Sequence, residues 1–273
     1  EGTVGAATTI TIPNTAPSTL YYYCTNHSGM GGAISIGATD PNVADPYAWK
    51  NVLALPLDVD EGRDYSNLVN CVTAQKSLTW TSISNQAKSN FYGQSCQFGT
   101  TTGQNHAVVV ATDSDFSLRT AAFTIECWIY STSSSGTQNI VQVYQDGSAY
   151  YGMGIWSGYL DMYMDGGTAN NLGTAVPGNN KWTHLAYVRD ASANIYCFVD
   201  GVNQVSGVTD GTDLGDASYV VYVGRHNPTN NAFVGYMQGF KMYSGIAKYT
   251  EDFIPASTDP DIMLDTPFGV SYE

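Results

Sequence analysis

Phe123-Thr124-Ile125-Glu126-Cys127-Trp128-Ile129-Tyr130 is the stretch whose reading decides the fold. Side chains on a strand alternate between two faces. Phe123, Ile125, Cys127 and Ile129 therefore share one face, and Thr124, Glu126, Trp128 and Tyr130 share the other. In a two-sheet sandwich one set enters the core and the other points outward or into a groove. Further strands are expected at 106–110, 139–144, 151–156, 182–189, 194–199, 219–224 and 233–243, each a short run rich in β-branched and aromatic residues. Asp146-Gly147, Asp165-Gly166 and Asp200-Gly201 are hairpin-type turns between several of them. Helix is expected only as a turn near 88–91 or 245–249. The pattern predicts an all-β, antiparallel two-sheet jelly-roll sandwich.

The composition agrees. Lys, Glu and Leu are scarce while Gly (28 residues) and Tyr (20 residues) are abundant, which favours turn-rich β structure. The net charge is -14 with only 10 Lys and Arg, which opposes binding to nucleic acid or to anionic membrane surfaces. It leaves carboxylates available for calcium. No apolar run is long enough for a helical membrane span. The chain opens at Glu1 without an initiator Met, which reads as a processed product or a piece of something longer. The five cysteines include no CxxC, so zinc ribbons and thioredoxin chemistry are not expected. Cys71 and Cys96 are the candidate disulfide across a ladder, with buried thiols as the other reading.

Four segments follow from the punctuation. Residues 1–38 read as strand, turn, strand, loop, strand, too little for an independent core. Residues 39–50 form a Pro- and Asp-rich linker, 51–256 the main domain and 257–273 a tail. In the first segment Cys24, His27 and Met30 stand at Cys-x2-His-x2-Met spacing after an aromatic strand. This is the donor set of a type 1 copper loop: two strong ligands and a weak axial thioether. The set is incomplete, because no His precedes His27. Copper is expected only if a segment outside this sequence supplies the second His.

Residues 51–256 resemble the laminin-G-like, concanavalin A-like lectin/glucanase family. The resemblance is carried by Leu55-Pro56-Leu57-Asp58, by Tyr92-Gly93-Gln94-Ser95-Cys96-Gln97-Phe98, and by the stretch 123–130. It continues in Trp182-Thr183-His184-Leu185-Ala186 with Tyr196-Cys197-Phe198-Val199-Asp200-Gly201, and in the closing Gly235-Tyr236-Met237-Gln238-Gly239-Phe240. Residues 1–38 resemble the end of a cupredoxin-like module. The order of the two resembles virion structural proteins of tailed bacteriophages, especially those of marine cyanobacteria.

The resemblance implies three kinds of site. Catalytic relatives carry two carboxylates a few residues apart on one strand, and no Glu-x-Asp-x-Glu or Glu-x-Asp-x-x-Glu run occurs here, so no enzyme is expected. Calcium at the sandwich rim would use Asp210, Asp213 and Asp216, or Asp113 and Asp115; solvated turn carboxylates are the other reading. Glycan binding would use Tyr151, Trp156, Tyr159 and Tyr163 with the loop residues Asn227, Thr229, Asn230 and Asn231, since flat rings suit sugar C–H faces. The expectation is a non-enzymatic virion or extracellular surface-fibre protein, homo-oligomeric, with fibre subunits and host or environmental glycans as partners. The alternative is a purely structural decoration or filament subunit.

Overall fold

The structure is a computed structural model that describes residues 19–23, 31–35, 47–58, 64, 76–88, 93–145, 150–164, 168–175, 180–215, 218–226, 231–253 and 255. The chain divides into two units, Glu1–Val43 and Ala44–Glu273. In the first, β1 (Thr19–Tyr23) pairs antiparallel with β2 (Gly31–Ser35), with Tyr21 opposite Ala33. The candidate copper ligands Cys24, His27 and Met30 lie outside the described residues.

The second unit is a two-sheet sandwich. Its strands are β3 (Asn51–Leu55), β4 (Leu78–Thr81), β5 (Ser84–Gln86), β6 (Ser95–Gln97), β7 (Ala107–Asp113), β8 (Phe123–Ser131) and β9 (Thr137–Tyr144). There follow β10 (Tyr150–Trp156), β11 (Tyr159–Met164), β12 (Thr168–Ala175), β13 (Trp182–Arg189), β14 (Ile195–Val199), β15 (Val202–Asn203), β16 (Tyr219–Val223) and β17 (Gly235–Ser244). One sheet has seven strands in the order β12-β11-β10-β9-β16-β7-β4. The other has eight, in the order β15-β14-β13-β8-β17-β6-β5, with β3 beside β17. All the strand pairings are antiparallel, as the jelly-roll expectation required.

The alternation at 123–130 sorts the two faces as expected. Phe123, Ile125, Cys127 and Ile129 are buried in the inter-sheet core, in one cluster with β10 residues Tyr151, Met153 and Ile155 and β16 residues Val221 and Val223. Cys127 and Cys197 are buried as thiols, and Cys96 is buried in the same core. The suggested partner of Cys96, Cys71, lies outside the described residues. Burial pushes the Cys127 and Cys197 thiols upward, so they behave as small core hydrophobes.

The helical turn expected at 245–249 does not form. Gly245 takes a left-handed φ of 78°. Its N–H donates to the Ala122 carbonyl at 2.8 Å, and the Lys248 N–H donates to Thr124 Oγ1 at 3.0 Å. The backbone donors that a helix would use go to β8 and its approach. Among the described residues the short 3-10 turns are Ala48–Lys50 and Ser114–Phe116, the second capped by the Asp113 carboxylate accepting from the Asp115 N–H.

Candidate functional site

The outer face of the eight-stranded sheet is closed by the chain itself. Ala186, Val188 and Phe198 are buried there under Ala247, Tyr249 and Phe253. Beneath the same segment the buried Glu126 carboxylate accepts from Lys248 Nζ at 2.6 Å and from the Tyr249 hydroxyl at 2.9 Å. His184 Nε2 lies 3.6 Å from it. Burial pushes this carboxyl up; the Lys248 ammonium, aided by His184, outweighs that and holds it well below the usual carboxylate range. The cluster ties the closing segment to the sheet.

The outer face of the seven-stranded sheet differs. Strands β10 and β11 form a hairpin in which Trp156 is opposite Tyr159, Gly154 opposite Asp161 and Gly152 opposite Tyr163. Tyr151, Met153 and Ile155 point into the core, so period-2 geometry sends Trp156, Gly154 and Gly152 outward, with Tyr159, Asp161 and Tyr163 beside them. Trp156 is 56% exposed and Tyr159 44%, an aromatic pair at the hairpin end. From Tyr163 a path of rings crosses four strands. Tyr163 meets Tyr150 at 5.6 Å, Tyr150 meets Tyr144 at 6.4 Å, and Tyr144 meets Tyr222 at 6.3 Å between centroids. His226 packs edge-on against Tyr150 at 5.9 Å, and burial lowers its basicity.

Polar groups form the floor between the rings. The Tyr163 hydroxyl donates to Asn139 Oδ1 at 2.7 Å, reaching across β10 above Gly152. A Cβ at Gly152 would overlap the Val141 carbonyl oxygen and come 2.9 Å from the Tyr163 hydroxyl. Gly152→Ala is therefore expected to lower stability by about 1–3 kcal/mol and to displace Tyr163. Denaturant unfolding followed by tyrosine fluorescence checks this; an unchanged midpoint contradicts it.

Asp161 is the unusual group on this face. It is 8% exposed, and its Oδ1 is buried without a hydrogen-bond partner among the described residues. Burial pushes its carboxyl up to about 6, a hydrogen bond from the Met162 N–H offsetting only part. A folded value above the ordinary one means that the folded state holds the proton more tightly. Stability from this group is thus lost as pH rises from about 4 through about 6. Above that, the fold carries a desolvated charge with no cation among the causes of its shift. Uncompensated buried charges concentrate at sites that use them.

The expected site residues separate accordingly. Trp156, Tyr159 and Tyr163 do share one face. Tyr151 is corrected: it is fully buried in the core and its hydroxyl donates to the Phe116 carbonyl at 2.7 Å. Its spacing of five from Trp156 on one strand places the two on opposite faces. Asn227, Thr229 and Asn230 lie outside the described residues, as does Asp216. Asp210 and Asp213 close turns, accepting from the N–H groups of Thr212 at 3.0 Å and Gly215 at 2.9 Å, and Asp213 also lies 3.7 Å from Arg119. Asp113 and Asp115 pair with the buried Lys76 ammonium. These four carboxylates thus serve as turn and ion-pair groups, and no cluster of three metal-binding side chains occurs among the described residues. Sequence reasoning does not single out Asp161, Asn139, Tyr144, Tyr150 or Tyr222, although the parity of Tyr159 and Tyr163 places Asp161 with them.

Residues 101–250 match the Laminin_G_3 family, described as the concanavalin A-like lectin/glucanases superfamily. No curated protein matches the sequence. Among solved structures, domain 4 of AbnA, a GH43 extracellular arabinanase from Geobacillus stearothermophilus in complex with arabinotriose, is similar at 15% identity and a TM-score of 0.58. The match covers 72% of this chain and 94% of that one. The binding domain of botulinum neurotoxin DC in complex with rat synaptotagmin II is similar at 12% identity and a TM-score of 0.55, covering 74% of this chain and 50% of that one. A structure of botulinum neurotoxin type C, which interacts with two ganglioside molecules, is similar at 12% identity, a TM-score of 0.53 and the same coverage. The chain thus spans about half the length of the toxin domains it matches. At these identities the likeness is one of fold.

Proposed function

Because the chain belongs to the concanavalin A-like lectin/glucanases superfamily, we propose that it is a non-enzymatic recognition protein that binds glycans on the outer face of its seven-stranded sheet. The observation that carries this reading is the exposed Trp156–Tyr159 pair standing beside the buried, unpartnered Asp161. Flat rings accept the C–H face of a sugar while a carboxylate accepts its hydroxyls. Binding of arabinotriose or gangliosides by proteins of similar fold supports the reading. Hydrolysis of a glycosidic bond needs two carboxyl groups flanking it. At the described outward positions of β9, β10, β11 and β16, Asp161 is the only carboxylate, which favours binding over catalysis. We place the protein on a virion or extracellular surface, as a homo-oligomeric fibre or decoration subunit.

A glycan array probed with the full chain tests the reading. Trp156→Ala is expected to weaken binding of any captured glycan by about 30-fold, the ~2 kcal/mol of a central aromatic anchor. Its melting temperature should stay close to that of the parent, since the ring is exposed. A parent chain that captures no glycan favours a purely structural subunit.

A further inference from the structure

We infer that the ligand of this face is a neutral sugar that donates hydroxyl hydrogens to Asp161, and that acidic glycans are excluded. The inference rests on the glycan-binding reading above and adds the ligand's chemical class. Asp161 lies across the hairpin from Gly154, and the aromatic pair Trp156–Tyr159 is one step further along the same face. Gly154 presents no side chain beside Asp161; a Cβ there would come 2.4 Å from the Gln138 carbonyl oxygen and 3.4 Å from Asn139 Oδ1, so backbone and an amide oxygen lie close on that side. The neighbouring Tyr163 hydroxyl is already donated to Asn139 Oδ1 and approaches the Val141 carbonyl at 3.2 Å. It does not serve Asp161, whose Oδ1 remains without a donor among the described residues.

An ionised carboxylate only accepts hydrogen bonds. The group that completes it must therefore bring O–H or N–H donors, and vicinal sugar hydroxyls supply two. A carboxylated or sulfated sugar would bring a second negative charge to a desolvated one, on a chain whose net charge is already -14. The aromatic pair next to Asp161 fixes the ring plane while the carboxylate reads the hydroxyls at its edge. Asp161 thus acts as the residue that sets specificity.

The test is an array printed with neutral arabino-, gluco-, galacto- and manno-oligosaccharides alongside uronic-acid, sialylated and sulfated counterparts. It is probed with the parent chain, Trp156→Ala and Asp161→Asn, each with its melting temperature. We expect neutral glycans to be captured and their acidic counterparts to bind at least about 10-fold more weakly. Asp161→Asn should lose about 10-fold or more, as expected for removal of a charged hydrogen-bond acceptor. It should melt at or above the parent, because it removes an uncompensated buried charge. Equal capture of acidic glycans, or full binding by Asp161→Asn while Trp156→Ala fails to bind, overturns the inference and leaves the glycan reading standing. A lower melting temperature for Asp161→Asn assigns the carboxylate to folding and also overturns it. Absence of any captured glycan, or full binding by Trp156→Ala, removes both.

Discussion

Glu126→Ala is expected to destabilise the protein by about 3–5 kcal/mol, the range for breaking a buried ion pair from one side. The substitution leaves the Lys248 ammonium under the closing segment with the Tyr243 hydroxyl at 3.2 Å and the Tyr243 ring at 4.2 Å, but without its counter-charge at 2.6 Å. The Tyr249 hydroxyl loses its acceptor as well. The double variant Glu126→Leu, Lys248→Met should recover much of this, since removing both charges removes the desolvation cost of each. The pH profile has a fixed sign. The Glu126 carboxyl lies well below the ordinary value in the fold, so its stabilisation is complete above the ordinary value of 4.5 and is lost as pH falls through the folded one. Denaturant midpoints measured from pH 7 into the acid range should fall steeply for the parent and less so for Glu126→Ala. Parallel profiles would contradict the assignment.

Arg189→Met has an expected effect of similar size, about 3–5 kcal/mol, for a different reason. Arg189 is fully buried, with its guanidinium 5.2 Å from the Phe123 ring. Its donors go to backbone carbonyls: Ala121 from Nε at 3.0 Å, Thr212 at 2.8 Å and Arg119 at 2.5 Å. Two loops that meet at this end of the sandwich are thus fastened by one side chain. Met fills the volume but donates nothing, so the Ala121 and Thr212 carbonyls lose the partner that allows their burial. Lys in its place has no planar fork and should rescue only a fraction. Denaturant unfolding of the two variants checks this; a Met variant within about 0.5 kcal/mol of the parent would show that these carbonyls find other donors.

Much of this architecture is legible in the amino-acid chain alone. The alternation at 123–130 assigns Phe123, Ile125, Cys127 and Ile129 to one face, and packing makes that face the core. Trp156, Tyr159 and Tyr163 are nameable as a group because rings on turn-flanked strands suit sugar binding. Tyr151 does not belong with them, because parity outranks residue type: on one strand, odd and even positions cannot share a face. Asp161 is hard to find in the sequence because a lone carboxylate inside a strand carries no motif.

By itself the sequence determined the local periods, the turns and hence the two faces of each strand, since these depend on backbone geometry and neighbouring side chains only. The tertiary structure decided which strands adjoin and which outer face is closed. Strand order brings Tyr222, Tyr144, Tyr150 and Tyr163 from four separate strands into one path. The return of 246–253 across the eight-stranded sheet covers Glu126, while the seven-stranded sheet keeps Trp156 exposed. Both follow from contacts between residues far apart in the chain, where no local period reaches.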